Sequence, residues 1–262
     1  MGSIIIKATN SYGNTLQITQ QAAFAVASVT GLTPPQGSVY TSELATKDGS
    51  VYNASRSQNR YITLLIYPQE QIEAARLALY QVFKLSKWVR LELKTKARHV
   101  TIEGYVESME GDLYENPQNL QISIVCPDPF FEAVTGSTTV IPAAGTAAAV
   151  ANGGDEEAGA VFTFTASGAC SNMSITNETT SQTFGLGLTL ESGDKVTIDT
   201  RRGSKRVTLL HDGVETNAIN AMTAGSAWPQ LIPGANQISF DALTGAENLS
   251  CSVAFTAIYE GL

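Results

Sequence analysis

Histidine is nearly missing from this 262-residue chain, cysteine is scarce, and charge is thin at 15%. His99 and His211 stand in different halves, so neither a paired-histidine metal site nor a histidine base beside a nucleophile can be assembled from neighbouring residues. No Gly-x-Ser-x-Gly element occurs. Cys126, Cys170 and Cys251 are odd in number and widely spaced, which excludes a disulfide framework or a zinc site and leaves three small buried apolar residues. No catalytic, cofactor-binding or metal-binding residue is therefore assigned. No apolar run reaches the length needed to cross a bilayer. Residues 1–6 lack the basic stretch, apolar core and small-residue cleavage site of a secretory leader, so none is expected. The Asn-x-Ser/Thr matches at Asn53, Asn172, Asn177 and Asn248 are then read as chance. The net charge of −8 is uneven. Residues 1–133 carry 11 basic and 12 acidic groups, and residues 134–262 carry 5 and 12. An acidic surface disfavours specific nucleic-acid binding.

A hydrophobic content of 43%, with frequent Thr, Ser, Gly and Val, describes a globular, mainly β chain of one to two domains. Residues 4–8 and 16–18 read as strands about the turn Ser11-Tyr12-Gly13-Asn14. Residues 36–58 are polar and Gly/Ser-rich with an Asp48-Gly49 turn signal. They read as a long loop, either reaching a neighbouring subunit or forming a plain surface excursion. Residues 60–67 form an apolar strand. Pro68 then opens a helix expected over 68–86, with Ile72, Ala75, Leu79, Val82 and Phe83 on one stripe. Alternation in 88–93, 100–106 and 120–124 predicts three antiparallel strands with one buried face each. Cys126-Pro127-Asp128-Pro129-Phe130-Phe131 follows. Two prolines fix φ at about −65° and hold their predecessors extended, so Pro127, Asp128 and Pro129 are read as a stiff interdomain joint between domains 1–133 and 134–262.

In the second domain, short strands over 161–165, 173–176, 184–190, 195–200, 206–210, 237–240 and 249–259 are separated by Gly193-Asp194, Arg202-Gly203, Asp212-Gly213 and Pro233-Gly234. Such spacing predicts an antiparallel β-sandwich. Asp194, Asp199 and Asp212 sit at turns, where Asp bonds its own backbone, rather than forming a carboxylate pair with Asp241. Gly185-Leu186-Gly187 lacks the strand-to-helix setting of a phosphate loop. Arg201, Arg202, Lys205 and Arg206 form the one basic cluster, either a docking tip for an acidic partner or a solvated turn.

The order of these pieces resembles phage distal tail proteins, which join the tail tube to the tail-tip or baseplate hub. In the first half the resemblance rests on Gly31-Leu32-Thr33-Pro34-Pro35, Asp48-Gly49, Arg60-Tyr61-Ile62-Thr63-Leu64, the single helix and Cys126-Pro127-Asp128-Pro129-Phe130-Phe131. In the second it rests on Asn152-Gly153-Gly154-Asp155, Asn172, Asn177, Gly193-Asp194, Ile198-Asp199-Thr200, Gly213, Trp228 and Leu231-Ile232-Pro233-Gly234-Ala235-Asn236. It implies a tail-tube-like first domain with one flanking helix and a galectin-like outer sandwich. It also implies a homo-hexameric ring in the virion tail, made in the host cytoplasm. The implied partners are the tail tube protein, a tail-associated hub protein, and receptor-binding proteins or fibres, with DNA passing through the channel and no membrane contact. On that expectation Glu103, Glu107, Glu110 and Asp112 are candidates to line the lumen and repel phosphate, an ordinary solvated hairpin being the other reading. The competing function is a non-catalytic carbohydrate-binding module with Trp228 as its stacking platform.

Overall fold

The computed structural model describes residues 4–46 and 48–262. Residues 1–3 of the amino-terminal reading, and Lys47 within the expected 36–58 loop, lie outside them. The chain divides into two compact units: one runs to Val134 and takes in Tyr259–Leu262, and the other spans Thr135–Ile258.

The first unit is a sheet backed by a helix. Its strands are β1 (Ile5–Asn10), β2 (Thr15–Gln17), β3 (Phe24–Thr30), β6 (Arg60–Pro68), β7 (Trp88–Lys94), β8 (His99–Glu110) and β9 (Leu120–Cys126), in the order β2-β1-β7-β8-β9-β6-β3. The short β10 (Phe131–Ala133) lies antiparallel to β8. Strict alternation sends Ile62, Leu64 and Ile66 of β6, Val89, Leu91 and Leu93 of β7, and Ile122 and Ile124 of β9 to one buried face. Against that face lies α1 (Ile72–Val82), which touches β1, β2 and β6 and contributes Ala75, Leu79 and Val82 to the core, joined by Phe83.

This helix is shorter than the sequence suggests. Pro68 ends β6 opposite Phe24, and the next amide, Gln69, still donates to Ala23 O at 2.9 Å. The chain therefore turns through Gln71 at φ 47° before helical geometry begins, and Ile72 faces solvent. At the other end Ser86 N–H donates to Val106 O of β8, which draws the chain off the helix axis.

The 36–58 stretch is not a loop. It forms β4 (Gly37–Glu43) and β5 (Ser50–Ser57), an antiparallel two-stranded sheet separate from the main one. Nearly every side chain on it is exposed. With neither face buried, no apolar alternation marked it.

The second unit is a sandwich of two antiparallel sheets. One is ordered β11-β21-β13-β16-β17-β18, formed by β11 (Ser137–Ile141), β13 (Ala158–Ala166), β16 (Lys195–Asp199), β17 (Arg206–His211), β18 (Val214–Asn217) and β21 (Leu249–Phe255), with β19 (Gln230–Leu231) beside β13. The other is ordered β12-β20-β14-β15, formed by β12 (Ala148–Asn152), β14 (Cys170–Asn177), β15 (Gln182–Leu190) and β20 (Gly234–Thr244). Phe164 from the first sheet meets Phe240 from the second edge-on, ring centres 5.9 Å apart, inside a core completed by Phe162, Ile175, Phe184, Ile198 and Val253.

Candidate functional site

Arg60 opens β6 and is, among the described residues, the one buried cation of the first unit, only 3% exposed. Its Nε donates to Pro129 O at 2.5 Å, Nη1 to Gly31 O and Thr33 O, and Nη2 to Glu260 O. The guanidinium also lies 4.4 Å from the ring centre of Phe131. Burial pulls its pKa down, with Cys126 and Glu260 opposing. Carbonyl dipoles converging on the ion are what make a buried charge tolerable. The two turn motifs of the first half are thereby explained. Gly31 holds φ +82° with its Cα so close to Tyr61 that a Cβ would sit 2.0 Å from the Tyr61 carbonyl oxygen, and this presents the Gly31 oxygen to Arg60. Pro127-Asp128-Pro129 places the Pro129 oxygen on the same ion.

That segment is accordingly internal to the first unit and does not separate the units. The boundary comes after Val134, because Glu132 and Ala133 still pair with Thr101 and Val100 of β8. Cys126 ends β9 in the same buried place, and burial pushes its thiol up to about 12.

In the second unit three buried amides and one hydroxyl stitch the segment 228–236 across one end of the sandwich. Asn152 Nδ2 donates to Leu231 O and Glu156 O while its Oδ1 accepts from Gly154 N–H. Asn177 Nδ2 donates to Gln230 O and to Asn236 Oδ1, and the two hydrogens of Asn236 Nδ2 are shared among Ile232 O at 2.8 Å, Gly234 O at 3.2 Å and Val150 O at 3.4 Å. Thr200 Oγ1 has Pro229 O at 2.9 Å and Ala160 O at 3.1 Å to share its one hydrogen, and accepts from Ala160 N–H. An irregular segment in a buried setting needs every carbonyl answered, and these side chains stand in for a missing strand neighbour.

Trp228 belongs to this closure. It packs on Phe184 with ring centres 4.6 Å apart, and Lys205 Nζ lies 5.7 Å from its indole centre. The ring is half-buried against the core.

The remaining sequence candidates are dispersed. Glu103 faces solvent on β8 but is engaged on its own sheet: Arg90 Nε donates to it at 2.9 Å and Trp88 Nε1 at 3.0 Å. Glu107 and Glu110 follow on the exposed side of the same strand, and Asp112 Oδ1 accepts from Tyr114 N–H in the turn beyond. Of the basic cluster, Arg201 and Arg206 both turn to the buried carboxylate of Asp199, at 2.7 and 3.7 Å. Burial would raise that carboxyl, yet the Arg201 hydrogen bonds outweigh it and hold it below the usual range. Lys205 lies over Trp228, so two of the four cations serve Asp199 and a third the Trp228 ring.

His99 Nε2 lies 2.8 Å from Glu92 Oε1. His211 Nδ1 lies 2.7 Å from Asp194 Oδ1, and Asp194 also accepts from Glu191 N–H. Among the described residues no group of three or more His, Cys, Asp or Glu is placed to hold a metal ion. In the sequence Arg60 marks only the start of a strand and of the resembling stretch Arg60–Leu64, with no role of its own. The available signal was a lone cation heading an apolar run, with two glycine- and proline-rich turns needing a carbonyl partner.

Residues 153–259 match the family model of the siphovirus-type tail component, C-terminal domain. A search of curated protein sequences gave no match. Among solved structures, the chain is similar to the SPP1 Dit (gp 19.1) protein, described as a paradigm of the hub adsorption apparatus in phages infecting Gram-positive hosts. The TM-score is 0.72 and the identity 14%, over 97% of this chain and 98% of that one. The phage P2 baseplate in its activated conformation with Ca gives a TM-score of 0.48 at 8% identity, over 96% and 98%. Residues 153–259 thus carry the C-terminal domain of the siphovirus-type tail component, and the chain as a whole shares its fold from end to end with SPP1 Dit.

Proposed function

We propose that this structural component of the phage tail forms a closed homo-hexameric ring at the distal end of the tail, joining the tube to the tail-tip or baseplate hub. The first unit is the tail-tube-like ring body, and the second is a galectin-like outer platform on which adhesion components dock. The observation that carries this reading is the β4–β5 hairpin. A two-stranded sheet is marginal by itself in water, and this one exposes Val39 by 64% and Tyr52 by 61%, with Tyr40 and Val51 also exposed. A neighbouring copy covering these side chains supplies the missing packing, and a heterologous contact repeated by rotation closes a ring. Glu107, Glu110 and Asp112, with Glu103 softened by Arg90, then serve as lumen-facing groups that keep phosphate from sticking. Arg202 is the cation of the basic tip best placed to meet an acidic partner.

Negative-stain electron microscopy and light scattering over a concentration series test the reading. Annuli are expected from the native chain at high concentration, and none from the Tyr40→Ser/Tyr52→Ser variant. A native chain that stays monomeric at every concentration overturns it.

A further inference from the structure

A heterologous contact joins two unlike patches of the same chain, so the exposed β4–β5 hairpin needs a receiving surface different from itself. The first unit holds one. Between α1 and the edge strands β2 and β3 lies an open groove of about 470 Å³. Leu16, Phe24 and Ala75 line it, Ala74 and Ala78 form its helical wall, and the exposed Glu70 stands on its rim. An alanine side chain ends at Cβ, so this wall leaves room for a flat aromatic group.

The hairpin carries a matching insert. The Arg56 guanidinium lies 5.9 Å from the ring centre of Tyr40, and both residues are exposed. In the ladder Ser38 pairs with Arg56 and Tyr40 with Ala54, which puts the phenol ring and the cation on one face. An aromatic group flanked by a cation thus has as its counterpart an alanine-walled groove flanked by a carboxylate.

Within one copy the two stand apart. The groove lies at the end of the β3–β6 ladder where Phe24 pairs with Pro68, and the hairpin stem, Gly37 opposite Ser57, follows from the other end, where Thr30 pairs with Thr63. The residue steps of β3 between those ends span roughly 20 Å. The hairpin does not lie back along the sheet, because nearly every side chain on it is exposed. Unlike patches at opposite ends of one body join copies head to tail.

We infer that the Tyr40–Arg56 face of one copy seats in the α1 groove of the next, with the phenol ring against Ala74 and Ala78 and the guanidinium against Glu70. Tyrosine and arginine are the residue types that protein interfaces favour. The contact rests on the closed assembly proposed above and adds the surface that receives the hairpin.

Chains bearing Ala54→Cys, beside the insert, are mixed with chains bearing Ala74→Cys, on the groove wall, and oxidised mildly at high concentration. The native cysteines are buried and do not compete. A mixed disulfide dimer is expected from the mixture and none from either variant alone. Adding Ala78→Leu to the Ala74→Cys chain fills the groove while keeping a good helix former, and should cut the yield about tenfold with the melting temperature unchanged. Glu70→Arg in that chain should do the same, and Arg56→Glu in the other chain should then restore the yield. Annuli from the native chain without the mixed dimer overturn the contact and leave the closed assembly standing. A mixed dimer without annuli overturns the closed assembly and leaves the contact, and the absence of both products overturns both. A mixed dimer whose yield ignores Ala78→Leu and Glu70→Arg alike also overturns the contact.

Discussion

Arg60 and Glu260 are 200 positions apart in sequence, yet the guanidinium of one donates to the main-chain oxygen of the other at 2.5 Å. The same ion answers Gly31, Thr33 and Pro129, so a single side chain satisfies four carbonyls that no strand reaches.

Replacing it is expected to be severe. Arg60→Met removes the charge but leaves those oxygens without donors in a dry place, and each buried group left so costs about 1–3 kcal/mol. A loss of at least about 3 kcal/mol is expected in urea unfolding followed by fluorescence of Trp88, the first unit's tryptophan. A loss below about 1 kcal/mol would show that water takes over the carbonyls.

Asn236 carries the equivalent duty in the second unit, where its amide nitrogen shares two hydrogens among three carbonyls and its oxygen accepts from Ile232 N–H and Asn177 Nδ2. Asn236→Ala is expected to cost about 2–4 kcal/mol. Asn236→Asp should be at least as damaging, because a carboxylate has no donors to offer. Calorimetry of both variants checks the order, and an Asp variant near native stability would contradict the network.

The His211–Asp194 pair gives a pH dependence with a definite sign. The hydrogen bond to Asp194 raises the His211 pKa above 6.5. Its contribution is therefore fully present below about 6.5 and is lost as pH rises through the folded value. The Glu191 backbone bond, opposed by burial and aided by His211, lowers Asp194 below 3.8. Its contribution is present above about 3.8 and is lost as pH falls through the folded value. The melting-temperature gap between native and His211→Gln should thus be widest between about pH 4 and 6.5 and narrow toward pH 8. A gap that widens with rising pH would refute the pairing.

Trp228→Ala is expected to lower the second unit's stability by about 1–3 kcal/mol through the lost contact with Phe184, with Trp228→Phe recovering most of it. Sugar titrations followed by Trp228 fluorescence should be flat. Saturable quenching by a simple sugar would restore the carbohydrate-binding reading.

The strands that bury one face were legible because burial writes a two-residue period into the sequence. Val89, Leu91 and Leu93, or Val100 and Ile102, declare their side of the sheet. The helix stripe was readable from Ala75 to Phe83 but not at Ile72, because nothing local says that Pro68 stays in a strand when its neighbour Gln69 keeps a bond to Ala23. The β4–β5 hairpin was invisible for the opposite reason, since neither face is covered and no period is imposed. Pro127-Asp128-Pro129, read as a stiff joint, lies a few residues inside the first unit, which ends after Val134. Stiffness is written locally, whereas the use made of it depends on Arg60, far away in sequence. Arg60 and the three asparagines act through distant carbonyls, and pattern alone does not identify a carbonyl's partner.

The three thiols lie buried, and burial pushes Cys126 and Cys251 up to about 12 and raises Cys170 as well. At pH 8 almost no thiolate is present at either of the first two positions, and the thiolate is the nucleophile that attacks peroxides and disulfides. The three cysteines are therefore chemically quiet. They neither crosslink the chain to its neighbours nor oxidise readily, and its stability rests on its packed cores and on the hydrogen bonds of Arg60 and Asn236.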